Sequence, residues 1–262
     1  MPSSPSGRRT AAALLTASLL VLLTACGGGT GGWGTGDGRP AKKKITVLAA
    51  ASLTDVFQAA GARYERTHPG TDVTFSFAGS QVLAAQVSQG APADVLATAN
   101  TETMDRVRDD TAEPVVFARN RLVIVTREGN PEDIDALEDL ADPGLKVVLA
   151  APEVPVGDYS EQVLRRQDLR VKPVSRETDV RAVLSKVELG EADAGLVYQT
   201  DAATSPDTVD AVTVPDARNE IATYPVAGLK SSEHAEAAGE FVEWLTGPKA
   251  QRILREAGFQ KP

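Results

Sequence analysis

Uncharged hydrogen-bond donors stand at four strand-to-helix turns of this sequence. Ser52 follows a short apolar run and precedes Asp55 by three positions, which is the spacing of a capping box, and Ser80 begins another predicted helix. Pro155-Val156-Gly157 and Thr178-Asp179-Val180 are the corresponding turns later in the chain. A helix N-terminus presents unpaired N–H groups and a partial positive charge, so these turns are candidate ligand-binding positions. Taken singly, each turn is better explained by ordinary helix capping, because Ser, Thr and Asp are common at helix starts.

The turns lie within a pattern of short apolar runs that alternate with amphipathic segments. Residues 45–49 predict a buried strand, and the apolar residues of 53–67 fall on one face of a helix. Further strands are predicted at 73–77, 95–97, 122–126, 147–150, 195–197 and 224–227. Further helices are predicted at 82–89, 160–167, 180–189, 233–245 and 248–257. This alternation predicts an α/β fold with mainly parallel sheets, in which ligands bind beyond the carboxyl ends of the strands.

The order of these elements predicts two α/β lobes with two chain crossings between them. Lobe 1 is expected to contain residues 44–121 and 216–262, and lobe 2 residues 122–215. The ligand is expected in the cleft between the lobes. The hinge is predicted near 120–123 and 214–217, where the chain passes from one lobe to the other.

Composition excludes several classes of protein. The 262 residues include 27 Lys and Arg against 36 Asp and Glu, a formal charge of −9 that argues against nucleic-acid binding. One Cys and two His leave no disulfide framework and no Cys/His zinc site. An α/β enzyme has no support, because the sequence lacks the nucleophile-elbow, P-loop and HExxH motifs. His68, in a Pro-Gly turn, and His234, near a helix start, are predicted to lie on the surface.

The N-terminus has the features of a secretory signal peptide. Arg8 and Arg9 precede a mostly apolar run at 11–25, which is too short for a comfortable membrane span. We therefore predict that residues 1–25 are removed. Loss of the two arginines lowers the formal charge of the remaining chain from −9 to −11, so an anion must be attracted by local dipoles rather than by net charge.

The end of this segment carries a more specific signal. Leu23-Thr24-Ala25-Cys26 resembles the lipobox of bacterial lipoproteins, in which the cysteine is acylated and becomes the mature N-terminus. The resemblance predicts a lipid anchor at Cys26 on the extracytoplasmic face of the cell membrane. The Gly-rich stretch within 26–43 is predicted to be a flexible tether between that anchor and the folded chain.

From about residue 44 to the C-terminus the sequence resembles the periplasmic molybdate-binding protein family. The matching segments, in order, are AAASLTD at 49–55, FAGS at 77–80, GAPADV at 90–95, PVGDY at 155–159, DVR at 179–181, GLVY at 195–198 and YPV at 224–226. Membership implies a type II periplasmic-binding fold and a non-enzymatic receptor that serves an ABC permease and its ATPase. It also implies a monomer that binds molybdate, and tungstate with it, without a cofactor.

The resemblance assigns five residues to the oxyanion. Ser52 and Ser80 would donate through hydroxyl and backbone N–H, Val156 and Val180 through backbone N–H, and Tyr198 through its phenol. These are uncharged donors, and none would ligate the metal atom directly. The site would therefore balance a dianion without burying Lys or Arg.

Several alternatives stay open at the level of sequence. The same fold could bind sulfate or another oxyanion, and molybdate and tungstate are nearly equal in size. Tungstate bound with carboxylates would require Asp158 or Asp179 to enter the site, whereas we expect both to face solvent or to cap their helices. A regulatory domain with this bilobal fold is opposed by the signal peptide and by the absence of a DNA-binding segment.

Overall fold

The computed structural model describes residues 43–262. The signal peptide, Cys26 and nearly all of the predicted tether lie outside the described residues. In chain order the strands are β1 (Lys43–Ala50), β2 (Thr71–Ala78), β3 (Val95–Ala97), β4 (Val115–Arg127), β5 (Val147–Ala150), β6 (Ser175–Glu177), β7 (Ala194–Tyr198), β8 (Val209–Thr213) and β9 (Ile221–Gly228). The sequence pattern did not indicate β6 or β8.

Eight α-helices and four short 3-10 turns connect the strands of the described chain. The helices are α1 (Thr54–Thr67), α2 (Ser80–Ser88), α3 (Thr101–Asp105), α4 (Pro155–Arg166), α5 (Val180–Glu188), α6 (Gln199–Ala202), α7 (Ala235–Thr246) and α8 (Pro248–Glu256). The 3-10 turns are Ala51–Leu53, Arg108–Asp110, Leu137–Ala141 and Asp216–Arg218. The predicted α/β class is confirmed.

The strands form two parallel cores joined through antiparallel strands. The sheet order is β2-β1-β3-β9-β4-β7-β5-β6, and β8 pairs with β4. In the first core β1 pairs in parallel with β2 and β3, and in the second core β5 pairs in parallel with β6 and β7. We call the first core, with β9 and helices α1 to α3, α7 and α8, lobe 1. The second core, with β8 and helices α4 to α6, is lobe 2.

Strand β4 passes from one lobe to the other. It pairs with β9 up to Arg121, and from Leu122 onward it pairs with β7 and β8. The buried amide of Asn219 accepts from the Leu122 N–H at 3.1 Å and donates to the Leu122 carbonyl at 2.8 Å. It also donates to the Val214 carbonyl at 3.1 Å. Asn219 therefore ties together the two chain segments that connect the lobes.

Two helix starts differ from the sequence-based prediction. Ser52 is not an N-cap, because the chain makes the 3-10 turn Ala51–Leu53 before α1 and no side chain caps either element. Helix α4 begins at Pro155 rather than near 160, so Val156 and Gly157 lie in its first turn. Proline suits this position because its fixed φ fits a helix start, where its missing N–H needs no partner.

Gly157 allows α4 to approach the preceding loop. A Cβ at this position would lie 2.0 Å from the Ala151 carbonyl oxygen, closer than any side chain can fit. We expect Gly157→Ala to lower the free energy of unfolding by about 1 to 3 kcal/mol. Gly239→Ala is the matched control, since that exposed α7 position has open space and alanine favours helix by up to about 1 kcal/mol. Urea unfolding measures both, and equal stability of Gly157→Ala and wild type would contradict the close approach.

Candidate anion-binding site

A small cavity lies between the two lobes and gathers all five residues singled out from the sequence. Ser52 and Ser80 line it from lobe 1, and Val156, Val180 and Tyr198 line it from lobe 2. The cavity contains about 210 Å³ of space between protein atoms, part of it open to solvent. Its size suits a single small ion rather than an extended substrate.

The remaining lining of the cavity is small and mostly apolar. Besides Asp179, these residues are Ala50, Ala51, Gly79, Ala99, Val154 and Pro155. Among residues 43–262, no lysine, arginine or histidine lines the cavity. Any positive potential there must come from N–H dipoles, and the four helix starts around it amount to about two positive charges.

Ser52 is held by an aromatic hydroxyl of lobe 1. Its side chain is 3% exposed, and its Oγ lies 3.0 Å from Oη of Tyr224, whose strand β9 returns to lobe 1. Burial raises the pKa of Tyr224 well above its ordinary value, so this phenol keeps its proton. When Tyr224 donates this bond, the Ser52 proton is free to point into the cavity.

Ser80 is fixed in a comparable way at the first position of α2. It is 1% exposed, and its Oγ accepts a hydrogen bond of 3.0 Å from the Ala99 N–H. Because the backbone donates to this oxygen, the Ser80 hydroxyl retains its own proton for another acceptor. The predicted helix start at Ser80 is confirmed, although the serine side chain bonds across to Ala99 and makes no capping bond.

The lobe 2 donors lie in the first turns of α4 and α5. Val156 is the second residue of α4, and its carbonyl accepts a 2.6 Å bond from the buried Ser160 hydroxyl. Val180 is the first residue of α5, directly after the N-cap Asp179. The first N–H groups of a helix have no acceptor within the helix, so both valines can donate to a ligand in the cavity.

Tyr198 ends β7 and supplies the phenol of the cavity. It is 1% exposed, and its hydroxyl has no hydrogen-bond partner of good geometry within residues 43–262. Burial raises its pKa well above the ordinary value, so the group remains a neutral donor. A buried hydroxyl without a partner is costly, and an anion in the cavity would satisfy it.

The two acidic residues beside these turns behave differently. Asp179 lines the cavity, and its Oδ1 accepts from the Ala182 N–H at 3.0 Å, so the expectation that it caps its helix is confirmed. Asp158 is half-buried in α4, accepts from Gln162 at 2.9 Å and does not line the cavity. Burial raises the pKa of Asp158. Asp158 therefore does not enter the site, as expected, and it remains partly exposed to solvent with its carboxylate bonded to a side chain one turn along α4.

Several contacts that support the site had no signal in the sequence. The Tyr224 hydroxyl bonds Ser52 from 172 positions away, and the buried Asn120 amide donates to the Thr200 hydroxyl at 2.7 Å. Asp201, fully buried, forms an ion pair of 2.7 Å with Nε of Arg181. Each contact joins segments distant in sequence, which local patterns do not connect.

The described residues contain neither a metal-binding cluster nor a membrane-spanning helix. Within 43–262, no group of three or more His, Cys, Asp or Glu side chains is arranged to hold a metal ion. In the same part of the chain, no helix is long and apolar enough to span a membrane.

Solved structures with a similar fold define the class of protein. The periplasmic molybdate-binding protein of Azotobacter vinelandii superposes with a TM-score of 0.74 at 22% identity, covering 83% of this chain and 99% of its own. The sulfate-binding protein SubI of Mycobacterium tuberculosis has a TM-score of 0.74 at 21% identity, covering 84% and 87%. The chain therefore has the two-lobed fold of periplasmic binding proteins, as the sequence predicted.

Sequence comparison narrows the class to a family. Residues 45–260 match the model of the bacterial extracellular solute-binding proteins, and the chain belongs to this family. The molybdate-binding protein ModA of M. tuberculosis is 39% identical over 252 residues, which cover 95% of this chain and 97% of that protein.

The buried Asp201 gives this region a testable pH dependence. Burial raises the pKa of Asp201 from 3.8 to about 7, and Arg181 offsets part of that rise. The folded state therefore favours the protonated acid, and the stability this provides is lost as the pH rises through about 7. Between about pH 5 and pH 8, we expect the free energy of unfolding to fall on the order of 2 kcal/mol further in the wild type than in Asp201→Asn.

Urea unfolding of both proteins at the two pH values measures this difference. Residue 201 is neutral in the variant at both pH values. The pH dependence of the variant therefore measures the contribution of every other titrating group, and its difference from the wild type is due to Asp201. The same pH dependence in the wild type and in Asp201→Asn would show that Asp201 ionises as readily in the folded chain as in the unfolded one.

Proposed function

We propose that this chain is an extracytoplasmic solute-binding lipoprotein that captures molybdate, and tungstate with it, for an ABC permease and its ATPase. The observation that carries the proposal is the convergence of uncharged donors from two lobes on one small cavity. Ser52, Ser80 and Tyr198 would donate through hydroxyls, and Val156 and Val180 through backbone N–H groups. ModA of M. tuberculosis, a molybdate-binding protein, supports the choice of ligand.

The chemistry of the cavity suits a small dianion. A buried lysine or arginine would carry a desolvation cost and would hold the anion strongly, which disfavours release to a permease. Fixed hydroxyl and N–H donors attract negative charge without that cost. The formal charge of −11 predicted for the chain after residue 25 makes such local attraction necessary.

Closure of the lobes would couple binding to delivery. We propose that lobe 1 comprises residues 44–121 and 216–262, that lobe 2 comprises 122–215, and that the hinge lies near 120–123 and 214–217. The partner change of β4 at Leu122 supports these limits. Donors from both lobes surround the cavity, so a bound ion would favour the closed arrangement, and a permease would recognise that form.

The proposal extends to the part of the chain before the described residues. Residues 1–25 would direct export, and Cys26 would carry the lipid that anchors the protein to the extracytoplasmic face of the membrane. Residues 26–43 would act as the tether, which lets a monomeric receptor reach its permease while it stays anchored.

Tyr198→Phe tests the assignment of the site. The substitution removes one hydroxyl that donates to the charged ligand, so the affinity for molybdate should fall roughly 10- to 100-fold. Tyr64→Phe is the matched control, because Tyr64 is also fully buried with an unpartnered hydroxyl in the described chain but does not line the cavity. Titration calorimetry on the full chain carrying Cys26→Ser measures both affinities.

The same titrations, repeated with tungstate, sulfate and phosphate, test the choice of ligand. We expect tight binding of molybdate and tungstate by the wild type, with weaker binding of sulfate and phosphate. Sulfate binding as tight as molybdate binding would favour a sulfate receptor with this fold. Unchanged molybdate affinity of Tyr198→Phe would remove Tyr198 from the site.

A further inference from the structure

Side chains that do not line the cavity connect the first turn of α5 to lobe 1. Nη2 of Arg181 lies 2.5 Å from Oδ2 of Asp55, which belongs to the first turn of α1. The Gln81 amide donates a 2.8 Å hydrogen bond to the Thr178 carbonyl, just before α5. Both contacts join lobe 2 to a helix start of lobe 1 that carries one of the two cavity serines.

Arg181 is held in place from its own lobe. Its Nε lies 2.7 Å from Oδ1 of the fully buried Asp201, and its Nη1 donates to the Thr204 hydroxyl at 3.2 Å. Asp201 and Thr204 lie in and just after α6, which packs on lobe 2 strands. The guanidinium is therefore ordered before it meets Asp55, so little side-chain entropy is lost when the lobes close.

The Gln81 contact lies where the backbones of the two lobes approach each other closely. A Cβ at Gly79 would lie 2.5 Å from the Thr178 carbonyl oxygen, so no larger residue fits there without a shift. Gln81 reaches the same carbonyl with its amide nitrogen. Since opening of the cleft would move Thr178 away from α2, this hydrogen bond belongs to the closed arrangement alone.

We propose that Asp55, Gln81 and Arg181 form an interlobe latch that stabilises the closed form and slows release of the ligand. These are positioning residues, because they fasten the elements that carry Ser52, Ser80 and Val180 and do not touch the ligand. The identity of the released ion rests on the function proposed above. The latch itself rests on contacts between the lobes, so it is testable without any ligand.

A simpler role for Asp55 predicts the opposite result. A carboxylate beside an anion site repels the ligand, so its removal would tighten binding and slow release. Loss of a latch would instead speed release. Side chains of Asp55 and Arg181 are 59% and 27% exposed, a setting in which ion pairs contribute modestly, so we expect Asp55→Asn to raise the release rate constant about two- to fivefold.

Rapid filtration measures this rate constant, as the loss of radiolabelled molybdate from the full chain carrying Cys26→Ser. Asp55→Glu keeps the charge and should release at the wild-type rate. Glu113→Gln is the control, because it removes an equal charge from the Arg108 pair, which lies within lobe 1. High salt should speed release from the wild type more than from Asp55→Asn, because only the wild type has the ion pair between the lobes for salt to screen.

The hydrogen bond of Gln81 to the Thr178 carbonyl, which involves no charge, allows an independent test of the latch. Gln81→Met keeps the length of the side chain and removes the donor, so it should also speed release, with no change in charge. Gln89→Met, at the other end of α2, is the matched control. Slower or unchanged release in both Asp55→Asn and Gln81→Met would overturn the latch.

A distance measurement tests the latch in the ligand-free protein. The full chain carrying Cys26→Ser has no other cysteine, so spin labels at Ala62→Cys on α1 and Ser185→Cys on α5 report the separation of the lobes. Asp55→Asn should shift the distribution of distances between the two labels towards longer values, and Glu113→Gln should leave that distribution unchanged. Identical distances in all three would contradict the latch. Failure of the wild type to bind molybdate would contradict the proposed function alone.

Discussion

Hydrogen-bond donors must converge on one point from two lobes that are able to move apart, and this requirement governs the architecture of the chain. Lobe 1 brings Ser52 and Ser80 to the cavity, and lobe 2 brings Val156, Val180 and Tyr198. Each of these residues lies at or after the end of a strand, where a helix or a turn begins. Because the carboxyl ends of parallel strands share one edge of a sheet, each lobe concentrates its donors on the face turned to the other.

The contacts around the cavity leave the protons of these donors free for a ligand, because the donors do not bond one another. The Ala99 N–H donates to the Ser80 oxygen, which leaves the Ser80 proton available, and the Ser52 proton is likewise available when Tyr224 donates to the Ser52 oxygen. Burial keeps the phenols of Tyr198 and Tyr224 protonated. The donors of the cavity thereby stay neutral over the physiological pH range, and the guanidinium of Arg181, on α5, is paired with Asp55 and Asp201.

The sequence predicted those parts of the structure that depend on local chemistry. Ser80 and Val180 were placed at helix starts because capping positions and apolar periodicity are encoded within a few residues. The prediction that Ser52 caps a helix was wrong, because the chain makes a 3-10 turn there before α1 and the Ser52 side chain bonds Tyr224, 172 positions away. Strands β6 and β8 escaped prediction because they are short and partly polar, and their pairing with β5 and β4 defines them.

The five site residues came from a family resemblance rather than from spacing, since each turn alone is explained by helix capping. What the resemblance did not contain is the network around the site. The contacts of Gln81 with Thr178 and of Arg181 with Asp55 join segments 97 and 126 positions apart. Such pairs depend on how the two lobes pack against each other. Local patterns in a single sequence do not predict this packing.

The central claim is that the uncharged donors of this cavity hold the oxyanion. A crystal structure of the protein grown with molybdate, with anomalous diffraction collected at the molybdenum edge, tests it most directly. The account predicts one strong peak in the cavity, with oxygens at about 2.7 to 3.2 Å from the donors of Ser52, Ser80 and Tyr198. A peak elsewhere, or one ligated by the carboxylate of Asp179, would contradict it.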